Sequence, residues 1–243
     1  MRIGTVDVPQ RIERDRYFRE LPYLELSALF AGPLKPSVLS KWAEVAPPDS
    51  IGLVAPFSLT HRKPPPGPKL WPHDATTGDF RISDPARAAL LALRDAVSTV
   101  AATCVVFRSA ESFSPSAANR DQLRTFFTEL ATEDAVGVPR VWVPGGLWEP
   151  RPAVKLATEL GVTCALDPLV HEPGEQADPY ADLEAPSLYF RIEGAGRTGP
   201  IRNERLEDLA ALIESYEGLP LTIAFASPSR WEDARNLRKM LGD

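Results

Sequence analysis

Cysteine is scarce in this sequence, which holds only Cys104 and Cys164 among its 243 residues. Small secreted scaffolds that depend on disulfides carry cysteine at a much higher density, so that class of protein is excluded. Both cysteines lie in apolar runs, where a free cysteine behaves as a small buried hydrophobic residue. We therefore expect two buried free thiols, no disulfide, and the reducing cytoplasm as the location.

Long apolar runs are also missing. The longest uncharged apolar stretch, from Ala96 to Phe107, is about half of the roughly 20 residues that a membrane-spanning helix requires. The first residues, Met1 to Asp7, carry charges and contain no apolar segment of the kind found in a signal peptide. The sequence therefore predicts neither a membrane span nor a secretion signal.

An excess of positive charge is missing as well, because the formal net charge is −6 and the isoelectric point is near 5.3. Such a molecule repels polyphosphate on average, so we do not expect nucleic acid as a partner. The sequence has no Gly-x-Ser-x-Gly element and no Walker pattern, and neither cysteine has a suitable histidine partner. A nucleophilic triad and a phosphate-binding loop are therefore not expected.

Short β-branched or apolar runs alternate with longer helical patterns along the whole chain. This alternation is typical of parallel βαβ units rather than of sandwiches or helical bundles. The predicted strands number eight: Arg2–Asp7, Tyr23–Leu29, Ile51–Ala55, Thr103–Phe107, Arg140–Val143, Thr163–Leu166, Leu188–Ile192 and Leu221–Phe225.

Several predicted helices begin with a serine followed by proline near the first turn, which is a common helix start. The predicted helices are Pro36–Val45, Ala86–Ala101, Ser116–Glu133, Pro150–Leu160, Asn203–Tyr216 and Ser229–Leu241. The proline-rich run Pro64–Pro72 and the segment Asp167–Pro186 are predicted as loops. We therefore predict an α/β fold in which residues 1–243 form one TIM-like (β/α)8 barrel with some βα helices shortened or replaced by loops.

In a parallel barrel, residues just past each strand share one rim, where function is usually found. The candidate catalytic residues at this rim are Glu25, His61, Asp167 and Glu193, which could also supply ligands to a divalent metal. The candidate ligand-binding residues are Arg108, Arg191, Trp142 and Trp148. Alternatives remain for each: arginines that neutralise neighbouring acids, a histidine that packs or caps, and tryptophans that seal the top of the barrel. No cofactor is expected; a divalent metal is the alternative.

Several motifs along the chain resemble those of the YecE-like family, also called domain of unknown function seventy-two. The matching segments lie in the same order as in the family and include Tyr23–Leu26, Pro36–Glu44, Leu53–Pro56, Thr60-His61, Val105–Arg108 and Tyr189–Gly194. The resemblance covers nearly the whole chain. It implies a TIM-like barrel and carries no assigned reaction.

The departures from the family pattern fall on polar rim positions rather than on the apolar barrel. The family's lysine before Ala-Pro is Val54 here, its glutamine is Arg108, and its histidine before glycine is Glu193. Its charged strand end is replaced by the segment Trp142–Trp148. We therefore interpret the chain as a divergent, non-catalytic barrel that binds a small molecule or a protein. The alternative is a metal-assisted hydrolase or isomerase of a small anionic substrate.

Overall fold

Eight short parallel strands close into a barrel in the computed structural model, which describes residues 1–171, 178–194 and 198–242. Each strand pairs with its neighbour in the sequence, and β1 pairs with β8 to complete the ring. The strands are β1 Arg2–Val6, β2 Tyr23–Leu26, β3 Ile51–Val54, β4 Cys104–Arg108, β5 Arg140–Val143, β6 Thr163–Leu166, β7 Leu188–Ile192 and β8 Leu221–Phe225. The predicted TIM-like barrel is confirmed, and every predicted strand is present with its ends shifted by at most a few residues.

Helices surround the barrel on its outside. Those in the described residues are α1 Arg14–Glu20, α2 Pro36–Ala43, α3 Phe57–Thr60, α4 Asp84–Val100, α5 Ala117–Thr125, α6 Glu133–Val136, α7 Pro150–Glu159, α8 Asn203–Glu214 and α9 Arg230–Met240. The Ser83 hydroxyl caps α4 by accepting a hydrogen bond from the backbone N–H of Ala86, and Ser116 caps α5 in the same way. Helices α1 and α3 have no counterpart in the sequence prediction.

The predicted helix Ser116–Glu133 is not one regular α-helix. Helix α5 runs into a π-helical turn, Phe126–Leu130, and α6 follows after a break. Adjacent Phe126 and Phe127 both pack against the Phe107 ring, with ring centroids 5.7 and 5.5 Å away. A regular α-helix separates neighbouring side chains by about 100°, and the wider π turn lets both rings face the core.

Two connections at the top of the barrel contain long loops. After β3 the chain forms the single turn α3 and the loop that contains Pro64–Pro72 before it reaches the full-length helix α4. After β6 it forms a 3₁₀ turn, Pro168–Val170, and residues 172–177 of the predicted loop Asp167–Pro186 lie outside the described residues. The predicted shortening of some βα helices is therefore confirmed.

The pleat of the strands divides the core into two layers. Outward-facing side chains such as Leu53, Phe107 and Phe190 pack against the helices in the larger layer. Inward-facing side chains form a smaller cluster inside the barrel: Tyr23, Val54, Cys104, Val106, Val141, Ala165, Tyr189 and Ala224. Side chains of successive residues point to opposite faces, so the rim residues on the inward register are those that meet at the mouth.

The two cysteines are buried and free, as predicted. Cys104 lies inside the barrel and Cys164 lies in the outer layer between the barrel and the helices. Among the described residues, no helix has both the length and the apolar character needed to cross a membrane.

Candidate functional site

A buried carboxylate lies inside the barrel near its C-terminal mouth. Glu25 on β2 is 0% exposed. Its Oε2 accepts a 2.6 Å hydrogen bond from the Tyr189 hydroxyl, and its Oε1 accepts a 3.0 Å hydrogen bond from Nε of Arg191. Both donors come from β7, which lies on the far side of the barrel from β2. Glu25 is therefore held by fixed partners and is not a free base.

A chain of hydrogen bonds leads from Glu25 down into the barrel. Because the Tyr189 hydroxyl gives its single proton to Glu25, Tyr23 must donate to the Tyr189 oxygen, which lies 3.1 Å from the Tyr23 oxygen. The Cys104 thiol, with Sγ 3.5 Å from that hydroxyl, is then left to donate to Tyr23. We call Tyr23, Tyr189 and Cys104 the tyrosine layer. Burial raises the pKa of both tyrosines well above the usual value and also raises the pKa of the Cys104 thiol, so all three groups stay protonated.

Arg191 joins Glu25 to the two other acidic candidates. Its Nη1 donates to the Glu193 carboxylate, and the backbone N–H of Glu193 donates a 2.8 Å hydrogen bond to Oδ2 of Asp167. Burial lowers the pKa of Arg191, and the adjacent Glu25 outweighs this, so the guanidinium stays charged. Arg191 therefore neutralises Glu25, which is the alternative role that the sequence left open for this arginine.

Asp167 is the acid at this mouth with a shifted titration. Burial raises its pKa to about 6, although the backbone N–H of Leu169 and the charges of Arg191 and Arg205 oppose the rise. The Leu169 N–H lies 3.0 Å from Oδ1, so each Asp167 oxygen accepts one backbone hydrogen bond. The carboxyl is partly exposed, and a pKa of about 6 allows it to take up and release a proton near neutral pH.

Arg108, at the end of β4, is a partly buried cation on the inward register. Its guanidinium carbon lies 5.6 Å from the centre of the Phe30 ring, and in the described part of the chain it forms no ion pair. Burial and then the charge of Arg191 lower the pKa of Arg108, and the charges of Glu25 and Glu111 oppose this. The guanidinium has thus lost water without gaining a direct ion pair in the described residues.

His61 also packs against Phe30. The two ring centroids are 5.0 Å apart, and the Thr60 hydroxyl oxygen is 2.8 Å from Nδ1 of His61. Burial and then the Arg108 charge lower the pKa of His61 to about 4, so the imidazole is neutral at pH 7. His61 is therefore an uncharged neighbour of Arg108 at pH 7. An anion at this mouth would be attracted by Arg108 and not by His61.

The two tryptophan candidates lie away from this cluster. Trp142 is on the outward register of β5 and is buried in the layer between the barrel and the helices. Its indole N–H donates a 2.7 Å hydrogen bond to the Ser109 hydroxyl, and its ring packs edge to face on Trp148 with centroids 4.9 Å apart. The structure thus places Trp142 and Trp148 in the outer core, because alternation along β5 turns Val141 and Val143, not Trp142, inward.

The four acidic or imidazole candidates do not converge on one point. In residues 1–171, 178–194 and 198–242, no group of three or more His, Cys, Asp or Glu side chains is arranged to hold a metal ion. The oxygens of Glu25 and Asp167 already accept the hydrogen bonds described above. The sequence reasoning that grouped Glu25, His61, Asp167 and Glu193 relied on strand ends and could not see these competing partners.

Sequence reasoning missed Tyr189, Tyr23 and Phe30, which shape the mouth as much as the charged residues do. A signal for Tyr189 was present, since Tyr189 and Arg191 are two residues apart on β7 and must share a face. Phe30 lies after β2 in a loop whose conformation no periodicity reveals.

No protein-family model matches this sequence, and no functionally curated protein matches it either. Solved structures do show the same fold. A DUF72 family protein from Enterococcus faecalis superimposes with a TM-score of 0.73 at 13% identity, covering 100% of this chain and 95% of that one. A DUF72 family protein from Thermotoga maritima gives a TM-score of 0.69 at 13% identity, covering 99% of each chain.

A third similar structure is a xylose isomerase domain containing protein from Salmonella typhimurium, with a TM-score of 0.61, 13% identity and complete coverage of both chains. Identities this low establish the shared barrel fold alone. Two of the similar structures nevertheless come from the family whose motifs the sequence resembles.

Proposed function

We propose that this chain is a divergent YecE-like barrel that binds a small anionic ligand at its C-terminal mouth and does not catalyse a reaction there. The observation that carries the proposal is Arg108, a partly buried guanidinium with no ion-pair partner in the described part of the chain. A guanidinium matches the geometry of a carboxylate or phosphate and forms charge-assisted hydrogen bonds to it.

An anion is favoured at Arg108 because this guanidinium pairs with no carboxylate in the described residues. Glu25 and Glu193 share the single guanidinium of Arg191, so those three groups keep one net negative charge, and His61 is neutral at pH 7. The inward-facing Val6 and Val143 at the same level are partly exposed, so solvent reaches the inside of the mouth. The ligand would therefore meet one free positive charge, an aromatic face at Phe30 and apolar walls.

Inorganic phosphate is the probe for the test, and the C2 proton of His61 is a local reporter. We expect phosphate to shift the NMR signal of this proton in a saturable way, with the signal assigned by its loss in His61→Gln. In Arg108→Gln we expect apparent affinity about tenfold weaker, from the loss of a charged hydrogen bond. Arg94→Gln, which alters an exposed arginine on α4, is the matched control and should behave as the wild type.

An equal response in wild type and Arg108→Gln would contradict the proposal. A malonate titration on the same samples distinguishes a carboxylate from a phosphate as the favoured group. Circular dichroism of both variants checks that each is folded, and Arg108 makes no ion pair in the described structure whose loss would unfold the barrel.

A second candidate, proton transfer on a small anionic substrate in a hydrolase or isomerase, is favoured by one observation. Burial raises the pKa of Asp167 to about 6, which suits a group that takes and returns a proton near neutral pH. Chemical conversion of a ligand that binds through Arg108, lost in Asp167→Asn with binding retained, would favour this candidate over the non-catalytic one.

Family membership and location belong to the same proposal. The ordered motifs of the sequence and the shared fold of two DUF72 proteins support membership of the YecE-like family. The two buried free thiols support the reducing cytoplasm as the location. The net charge of −6 argues against nucleic acid as a partner.

A further inference from the structure

A second opening into the barrel lies at its N-terminal mouth, at the opposite end from Arg108. It is a cavity of about 350 Å3, within the size range of small-molecule pockets. Its wall includes the first inward-facing residues of several strands and reaches Tyr189 and Cys104 of the tyrosine layer. The polar lining residues used below are Arg2, Cys104, Thr163, Ser187, Tyr189 and Thr222.

The cavity exists because the inward-facing residues at this level are small. TIM barrels normally fill their interior with bulky branched side chains, whereas Cys104, Thr163 and Thr222 occupy these positions here. Gly52 on β3 makes room for the Tyr23 hydroxyl, which would lie 2.1 Å from a Cβ at that position. The space is therefore a product of side-chain choice and not of a gap between strands.

Hydroxyl groups in this cavity have hydrogen-bonding capacity to spare. Thr222 is 9% exposed and faces inward, in register with Tyr189, and its hydroxyl makes no hydrogen bond within the described residues. The Thr163 and Ser187 oxygens are 2.8 Å apart, so one of these hydroxyls donates to the other and one proton remains free. None of these hydroxyls is among the fully buried polar atoms that lack a partner in the described residues, so water or a ligand in the cavity can satisfy them.

The charge at this mouth is positive. Arg2 lines the cavity, and the only hydrogen bond of its side chain in the described structure is a long one, 3.4 Å from Nη1 to the Asp49 carbonyl oxygen. No aspartate or glutamate is among the residues that line the cavity. Glu25 lies beyond the tyrosine layer and is paired with Arg191.

We infer that the N-terminal mouth is a second ligand site, which takes a small hydroxylated compound bearing one phosphate or carboxylate group. Arg2 would bind the oxyanion, while Thr222 and the pair Thr163 and Ser187 would bind its hydroxyls. The site is separate from the one proposed at Arg108 and does not depend on it.

Cys104 supplies a local reporter of occupancy. Its thiol lines the cavity, whereas Cys164 is buried in the outer layer and serves as an internal control in the same molecule. The wild-type protein is treated with methyl methanethiolsulfonate, and modification of each cysteine is followed by peptide mass spectrometry. We expect glycerol 3-phosphate or glycerate to slow modification of Cys104 in a saturable way, and glycerol to have no effect. Comparison of the two anions distinguishes phosphate from carboxylate.

Four variants make the assignment specific. In Arg2→Gln we expect the concentration of glycerol 3-phosphate that half-protects Cys104 to rise about tenfold, and in Thr222→Val to rise several-fold. Arg94→Gln and Arg108→Gln should match the wild type. Modification of Cys104 that neither anion changes, or protection that is equal in wild type and Arg2→Gln, would overturn the inference.

Thermal denaturation covers the case in which the reagent does not reach Cys104. A rise in melting temperature with glycerol 3-phosphate that persists in Arg108→Gln and disappears in Arg2→Gln supports the site. A rise that disappears in Arg108→Gln and persists in Arg2→Gln places the probe at the C-terminal mouth and overturns the inference. The absence of any rise in the wild type also overturns it.

Discussion

Asp167 shows how a single residue at the end of a strand acquires an unusual titration. The carboxyl follows β6 directly and caps the 3₁₀ turn that replaces a helix, in which Pro168 and Leu169 are buried. Two backbone N–H groups bind its oxygens, yet burial is the larger effect and raises its pKa to about 6. In a fully exposed turn, the same two backbone hydrogen bonds would lower the pKa of the carboxyl instead.

This shift predicts a pH-dependent contribution to stability. The folded pKa of about 6 exceeds the unfolded value of about 3.9, so the native state binds the proton more tightly and the free energy of unfolding falls as pH rises between these values. The two-unit interval corresponds to a loss of at most about 3 kcal/mol. Urea unfolding of Asp167→Asn from pH 4 to pH 7.5 should lack this component.

The matched control is Asp121→Asn, since the Asp121 side chain is 75% exposed. Its unfolding free energy should follow that of the wild type across the same pH range. Parallel curves for wild type and Asp167→Asn would show that the Asp167 carboxyl titrates normally in the folded protein.

Helix α1 shows at the scale of an element why some structure escapes sequence analysis. Its seven residues are rich in interleaved charges, have no apolar periodicity and begin without a side-chain cap. The sequence therefore indicated a solvated segment. The helix is held by one buried residue, Tyr17, whose hydroxyl donates a 2.6 Å hydrogen bond to the Tyr23 carbonyl and accepts one of 2.9 Å from the Thr5 N–H.

Tyr17→Phe should therefore destabilise the barrel although it keeps the ring. It leaves the Thr5 N–H and the Tyr23 carbonyl without this partner, and we expect a loss of about 1–3 kcal/mol in urea unfolding. Faster hydrogen exchange at the Thr5 amide would locate the effect at the junction of β1 and β2. A loss below about 0.5 kcal/mol would mean that α1 is anchored by its other contacts, such as Arg14 over Trp42.

Strands were easier to predict than helices for a related reason. All eight strands are buried on both faces, so their β-branched and apolar runs carry a strong local signal. The π turn at Phe126–Leu130 lets two adjacent aromatic rings pack into one core. This is a tertiary effect that local sequence patterns do not reveal. The ends of the predicted strands showed which residues lie at the rim. They could not show which of those residues bind each other, because partners such as Glu25 and Tyr189 are 164 positions apart in the sequence.

For the whole molecule, the pair of Glu25 and Arg191 connects the first quarter of the chain to the last. The two side chains cross the barrel from β2 to β7 and are almost completely buried. Removing one member of a buried pair leaves the other charge uncompensated, which typically costs about 3–5 kcal/mol, whereas replacing both can be nearly neutral.

We therefore expect Glu25→Leu alone and Arg191→Met alone to lose several kcal/mol each in urea unfolding. The double variant should lose clearly less than the sum of the two, which a double-mutant cycle measures. Additive losses would contradict the interpretation of the pair as one unit. Since Arg191→Met also releases Glu193, the cycle is best repeated in a Glu193→Gln background.

Closure of the barrel through β1 and β8 has a consequence for synthesis on the ribosome. One edge of β1 can pair with β2 soon after both are synthesised. Its other edge stays unpaired until Leu221–Phe225, near the end of the chain, has been made. At about 5–20 residues per second this interval is on the order of ten seconds or more. During that time a strand edge with open N–H and C=O groups is available to other nascent chains. Crowded polysomes, rather than dilute refolding, are thus where this protein is most exposed to misassembly.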